Sequence, residues 1–194
     1  KTNGLGDGSS WKEALSPLGF AETLPTAESG STFHIAAGTY YPETEHITET
    51  YLGNITSKAY RIGASISIIG GYSESPSEKE KPNPDINKTI FSVDYNNDDK
   101  YSFIKSSKDL DSLVFSNTSE NEDYIFEITK DEVVLYMEGL QFTGAKKLII
   151  FENDYYDTEF FFKRLTAINN NGGMIGDYFT KRVNVDSCVF IRNS

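Results

Sequence analysis

The chain has 194 residues, with 18 Lys and Arg against 29 Asp and Glu, for a net charge of −11. A field of that sign repels phosphate backbones and anionic headgroups and sets nucleic acid and membrane surfaces aside as partners. No apolar run approaches the roughly 18 residues that a membrane-spanning helix requires, and a single cysteine, Cys188, excludes an internal disulfide framework and a cysteine-clustered zinc site.

One domain over residues 1–194 is expected, held by the packing of 13 Phe and 12 Tyr. The chain begins at Lys1 without an apolar signal region, so a targeting segment is expected to have been removed, or the chain trimmed. Ser9 or Ser10 can cap a helix that sets Trp11, Ala14 and Leu15 on one face at i, i+3 and i+4. This predicts a short amphipathic cap within 9–24.

From residue 32 onward the pattern becomes that of short strands. Phe33-His34-Ile35, Ser65 to Tyr72 and Lys88 to Val93 carry apolar residues bounded by turn signals. Between them, 41–59, 73–87 and 95–123 are polar, rich in Pro or in Asn and Asp, and lack sustained periodicity, which predicts loops.

The last third repeats. Leu135 to Phe142, Phe160 to Ala167 and Val183 to Phe190 superimpose at offsets of 25 and 23 residues. Their apolar residues form the columns Leu135/Phe160/Val183, Met137/Phe162/Val185, Leu140/Leu165/Cys188 and Phe142/Ala167/Phe190. Alternation has period two with a phase shift at Gly139, which marks a bend between two short strands. Columns at this spacing, without a helical pattern between them, suit turns that stack about 4.8 Å apart in parallel sheets. The predicted fold is all-β: a right-handed single-stranded parallel β-helix over 32–194, with a short N-terminal capping helix and long loop insertions. The chain stops at Ser194 straight after a turn, and the solenoid is expected to continue beyond it.

Four motifs in order, Gly6-Asp7-Gly8-Ser9-Ser10-Trp11, Ile35-Ala36-Ala37-Gly38-Thr39-Tyr40, Ile68-Ile69-Gly70-Gly71-Tyr72 and Thr89-Ile90-Phe91-Ser92-Val93-Asp94, resemble the N-terminal region of pectate-lyase-like right-handed β-helix proteins of bacterial surfaces. Bacteroidetes proteins and Gram-positive adhesins are among these. The resemblance covers nearly the whole chain and departs from the family at His34, where an aromatic such as Trp is usual, and in the Asn/Asp-rich insertion after Asp94. It implies the pectin-lyase fold, export to the cell surface or medium, and a role in attachment. It implies no catalytic motif, because the Asp-Asp pairs and Gly-His-Gly motif of β-helical galacturonases are absent from these rungs.

The chemistry-bearing residues are few. Glu138 and Asp186 fall two rungs apart on one face, a separation that glycoside hydrolysis can use, but Lys163 stands between them and favours a self-neutralising charge ladder. Asp94, Asn96, Asp98 and Asp99 offer a hard cation its oxygen ligands at D-x-N-x-D spacing. Asp99, however, stands where an EF-type loop needs Gly, and Lys105 where it needs Glu, so an ordinary Asx-rich turn over 94–99 is favoured. Glu152-Asn153-Asp154-Tyr155-Tyr156-Asp157 combines exposed acids with aromatics able to stack on a sugar, although a solvated loop with one capping Tyr is the plainer reading. His34 is expected on the outer face of its strand. Cys188 is expected inward as a small hydrophobe. The sequons at Asn54, Asn87 and Asn117 would matter only in a eukaryotic secretory pathway.

No catalytic, cofactor-binding or metal-binding residue is assigned. The expected function is that of a non-catalytic, secreted or cell-surface bacterial binding module, an adhesin that meets glycans or host and matrix proteins through its loops. The alternatives are a polysaccharide lyase or glycoside hydrolase on the same scaffold, and a purely structural N-terminal cap of a larger passenger.

Overall fold

The alternation seen in the sequence sorts side chains strictly between the two faces of a sheet. In Thr158–Lys163 every second residue, Thr158, Phe160 and Phe162, is buried, and Val134–Glu138 buries Leu135 and Met137 in the same way. The computed structural model describes residues 6–50, 53–104, 112–151, 157–172, 175–176 and 180–193.

Three parallel sheets carry the chain. The first has the spatial order β1 (Thr32–Ala36), β6 (Ile66–Tyr72), β11 (Val134–Glu138), β14 (Thr158–Lys163) and β17 (Thr180–Asp186). The second runs β2 (Gly38–Tyr40), β7 (Thr89–Ser92), β12 (Leu140–Thr143), β15 (Thr166–Ile168) and β18 (Val189–Ile191). The third runs β5 (Tyr60–Ile62), β10 (Tyr124–Ile128), β13 (Lys147–Phe151) and β16 (Ile175–Gly176). Two antiparallel hairpins complete the strands: β3 (Glu45–Thr50) with β4 (Gly53–Lys58), and β8 (Lys100–Ile104) with β9 (Ser112–Ser116).

The expected fold is corrected here. The strands are divided among several separate sheets, with antiparallel pairs besides, and do not form the single-stranded right-handed β-helix that the columns suggested. The columns themselves are pairing registers: Leu135, Phe160 and Val183 are successive partners, as are Met137, Phe162 and Val185. In-register apolar columns are common to any stack of parallel strands, so they fix which residues are neighbours without fixing how the sheets are joined. The expected loops at 41–59 and 95–123 contain the two hairpins, each a pair of strands separate from the three parallel sheets and therefore absent from their columns. Residues 73–87 carry no strand, as expected.

The N-terminal helix also begins later than the sequence suggested. Ser16 is its N-cap, accepting a hydrogen bond from Gly19 N at 3.0 Å, and α1 spans Pro17–Thr23, followed by a 3₁₀ turn over Leu24–Thr26. Proline at the first helical position is preorganised for that start. Ser9 instead closes a turn on Asp7, and Ser10 Oγ accepts from Glu13 N, which leaves Trp11 ahead of the helix.

The bends between sheets recur with the same spacing. Gly139, Arg164 and Ser187, which follow β11, β14 and β17, have φ of 68°, 50° and 54°; Gly144, Asn169 and Arg192, which follow β12, β15 and β18, have 86°, 56° and 52°. Each is one residue in the left-handed region, which costs about 1–2 kcal/mol for a side chain other than glycine. Gly139 has a second reason to lack a side chain, because a Cβ there would lie 3.1 Å from Gly70 O and 3.2 Å from Pro84. Buried Asn170 ties the second set of bends together: its amide donates to Phe142 O and Ile168 O, and its oxygen accepts from Ala145 N.

The core is aromatic. Phe91 is fully buried, with ring centroids 5.2 Å from Tyr60, 5.3 Å from Phe126, 5.6 Å from Tyr40 and 6.2 Å from both Phe20 and Phe142. Phe20 comes from α1, so the helix packs on the aromatic core at the end of the stack where β1 lies. At the other end Val183, Val185 and Phe190 occupy core columns yet are 44 %, 53 % and 47 % exposed. One ion pair lies within the third sheet: Arg61 Nε is 3.0 Å from Glu127 Oε2, and the Glu127 side chain is fully buried. Among the described residues no helix is long and apolar enough to cross a membrane.

Because Phe91 joins five aromatic neighbours, Phe91→Ala is expected to lower unfolding free energy by about 3–5 kcal/mol. Urea denaturation checks this, and a loss under about 1 kcal/mol would contradict the packing described.

Candidate functional site

Three rings from distant parts of the chain meet beside the helical end. Trp11 lies 5.0 Å, centroid to centroid, from Tyr72; His34 stacks on Tyr72 at 5.1 Å and 28°; Trp11 and His34 are 6.3 Å apart. The local backbone explains the meeting. The β1–β6 register shifts between His34 and Ala36, an irregularity of the kind that re-aims a side chain, and it brings Ala36 opposite Tyr72. Trp11 is pinned by its own backbone, whose N–H donates to Glu78 Oε1 at 3.1 Å.

Trp11 and His34 border a cleft of about 940 Å³ lined by the 7–17 segment, by one side of α1, by β1 and by the 74–78 loop, and buried Tyr72 backs the two rings from behind. Its titratable lining is uneven: Asp7, Glu28, Glu74 and Glu78 face one lysine, Lys12. Hydrogen bonds from the Ser9 hydroxyl and backbone hold the Asp7 carboxyl below its usual range. Burial raises the Tyr72 phenol, with Glu138 and Glu80 adding to the shift, so Tyr72 enters the site as a neutral ring. The rings touch one another and leave no gap among themselves. They offer faces to stack against rather than a cage.

From the cleft, one outward column crosses the first sheet: His34, Ile69, Glu138, Lys163 and Asp186 are successive partners. Glu138 lies 3.3 Å from Lys163 Nζ and 2.7 Å from Arg164 Nη2, and it accepts a hydrogen bond from the Tyr136 hydroxyl. Burial alone would raise its pKa, but the bonds from Tyr136, Arg164 and Lys163 outweigh that and hold the carboxyl below its ordinary range. A glycosidic general acid needs the opposite shift. Asp186 is exposed and takes the Ser187 hydroxyl at 2.8 Å. The structure places Glu138 and Asp186 in the charge ladder.

The acidic loop is more convergent than its spacing suggested. Asp94, Asp98, Asp99 and Glu120 bring carboxylate oxygens within 4.8 Å of one another. Asn96 is exposed, and Glu120 arrives from beyond the β8–β9 hairpin. The expected turn is present as well, since Asp98 N donates to Asp94 Oδ1. Burial, with Asp94, Glu120 and Asp98 acting in the same direction, pushes Asp99 up to about 6 against the lowering hydrogen bond from Asn121.

The remaining candidates divide. Of the 152–157 run, residues 152–156 lie outside the described residues, and Asp157 is exposed. Lys105 also lies outside them. His34 is exposed on the outer face, as read, but is one ring of a cluster rather than a solitary histidine. Cys188 is half-buried against the core, its thiol 3.4 Å from Asp186 O. The Asn87 amide donates to Gly71 O, so that sequon is used structurally.

Sequence reasoning missed the Trp11–His34–Tyr72 cluster. Trp11 was assigned to a helix face, and no local spacing links it to Tyr72. The one available signal was that the chain's single tryptophan and the Tyr72 motif both fall among the four ordered motifs, which were read for fold alone. In comparison with known proteins, the chain matches no family model, no curated protein and no solved structure.

Asp99 supplies a test by pH. A carboxyl whose folded pKa lies above its unfolded value favours the fold while protonated. That stability is fully present below about pH 4 and is lost as pH rises through about 6. Asp99→Asn is therefore expected to melt higher than the parent at about pH 7 and to lose that advantage at about pH 4, as read by circular dichroism; an advantage equal at both would contradict the assignment.

Proposed function

We propose that this chain is a non-catalytic binding module of a secreted or cell-surface protein, an adhesin for glycans or for host and matrix proteins, and that its ligand seat is the cleft beside Trp11, His34 and Tyr72. The observation that carries the reading is the cleft itself: adjoining aromatic faces, half-buried at Trp11 and exposed at His34, beneath a rim of acids. Exposed aromatic faces in a concave site are where binding energy concentrates, because they remove large areas from water at little entropic cost.

A reading as a carbohydrate-active enzyme finds less support. The carboxylate best placed on the first sheet, Glu138, is bound by Lys163, Arg164 and Tyr136 and stays ionised at neutral pH. The structural-cap reading leaves the exposed stacking faces without a use.

The chain contains one Trp beside 12 Tyr, so emission excited selectively at the indole reports on this cleft. A screen of arrayed glycans and immobilised matrix proteins is expected to yield a ligand that changes Trp11 emission saturably, and Trp11→Ala is expected to weaken that ligand by about tenfold or more, the size of a hot-spot residue. Binding untouched by Trp11→Ala would move the site elsewhere on the molecule. New reducing or unsaturated ends from a polysaccharide would replace the module by an enzyme.

A further inference from the structure

The cleft has a third property besides its rings and its acids: one wall is a sheet edge. β1 is the terminal strand of the first sheet, and among the described residues it pairs only with β6. Residues 31–36, the strand and the serine before it, line the cleft. An edge strand presents alternate unpaired N–H and C=O groups on its free side, a template that an extended polypeptide completes; in β1 that template is the Thr32–His34 stretch, because the Ile35 and Ala36 carbonyls already accept from the Thr89 hydroxyl and Ala36 also from Tyr40.

The charge on the walls selects among polypeptides. Glu28, Glu74 and Glu78 are all exposed on the rim, Asp7 is held ionised, and Lys12 alone opposes them, within a protein of net charge −11. Such a site gathers cations and repels acids. Trp11 adds a face over which an ammonium or guanidinium group is attracted by the ring quadrupole.

Resting on the reading of this cleft as the ligand seat, we infer that its occupant is an extended basic polypeptide segment, which adds as a strand to the free edge of β1 and sets Lys or Arg side chains against Trp11 and the acidic rim. Alternation along the bound strand directs every second side chain to the same wall, so basic residues at alternate positions are the recognised pattern. A glycan offers neither the repeating backbone donors that the edge accepts nor, unless it bears amines, the charge that the rim attracts.

The test titrates the intact chain, followed by Trp11 emission, with octapeptides in which Lys or Arg is fixed at alternate positions and the rest are randomised. A matched Glu-fixed pool, neutral oligosaccharides and chitosan oligomers run in parallel. The basic pool is expected to saturate, to weaken when salt rises from about 0.05 to 0.5 M as rim charges are screened, and to lose affinity when alternate peptide nitrogens are methylated. Glu28→Gln with Glu74→Gln, neither of which holds the fold, is expected to weaken it roughly five- to tenfold. Equal binding of the Glu-fixed pool, or insensitivity to backbone methylation, overturns the inference. Saturation by a sugar with silence from every basic peptide overturns it too while leaving the cleft as ligand seat. A ligand of the wider screen that binds without altering Trp11 emission removes the cleft and the peptide together.

Discussion

From β11 onward the interior depends on one backbone constraint: each passage there from the first sheet to the second turns at a residue held at positive φ. Gly139, Arg164 and Ser187 occupy that place in successive repeats. Only because each bend consumes the same length of chain do Leu140, Leu165 and Cys188 arrive one above another, with Phe142, Ala167 and Phe190 beside them. A bend one residue longer would invert the faces of the strand that follows and drive its apolar set into water. Arg164 and Ser187 accept a conformation that glycine adopts freely, and the stacking on either side of them outweighs that cost of about 1–2 kcal/mol each.

Much of this was written in the chain. Pairing partners over 135–190 follow from apolar columns, because in-register parallel pairing places like side chains together, and the bend at Gly139 shows as a break in period two. The joining of strands into several sheets was not legible, since column registers carry no information about connectivity. The two hairpins escaped for a different reason. Glu45–Thr50 and Lys100–Ile104 each belong to a two-stranded pair separate from the three parallel sheets, so no column shared with another rung marks them in the sequence. The helix start was misplaced because three serines, Ser9, Ser10 and Ser16, compete for the cap, and only Pro17 decides among them.

The candidate site was less legible than the fold, and for a structural reason. Its three rings come from the N-terminal segment, from the first strand and from the end of β6, and the register shift at β1 is what turns His34 onto Tyr72. No spacing rule reaches from residue 11 to residue 72. The Glu138 ladder was readable, because its members share one strand register, and the acidic loop was readable in part: Asp94, Asp98 and Asp99 are near in sequence, whereas Glu120 requires the hairpin to fold back. The acidity evident in the net charge is also present locally, in Asp7, Glu28, Glu74 and Glu78 around the cleft.

The Arg61–Glu127 pair restricts how this protein can drift. Glu127 has no contact with solvent, so its charge is compensated by protein groups alone, Arg61 among them, and removing one member of such a buried pair costs about 3–5 kcal/mol. An apolar pair of similar volume would be tolerated, yet each single substitution on the way to it passes through a destabilised protein. Descendants of this chain should therefore keep both residues or exchange both, which makes the two positions a covarying pair set by desolvation, at a place that does not line the cleft.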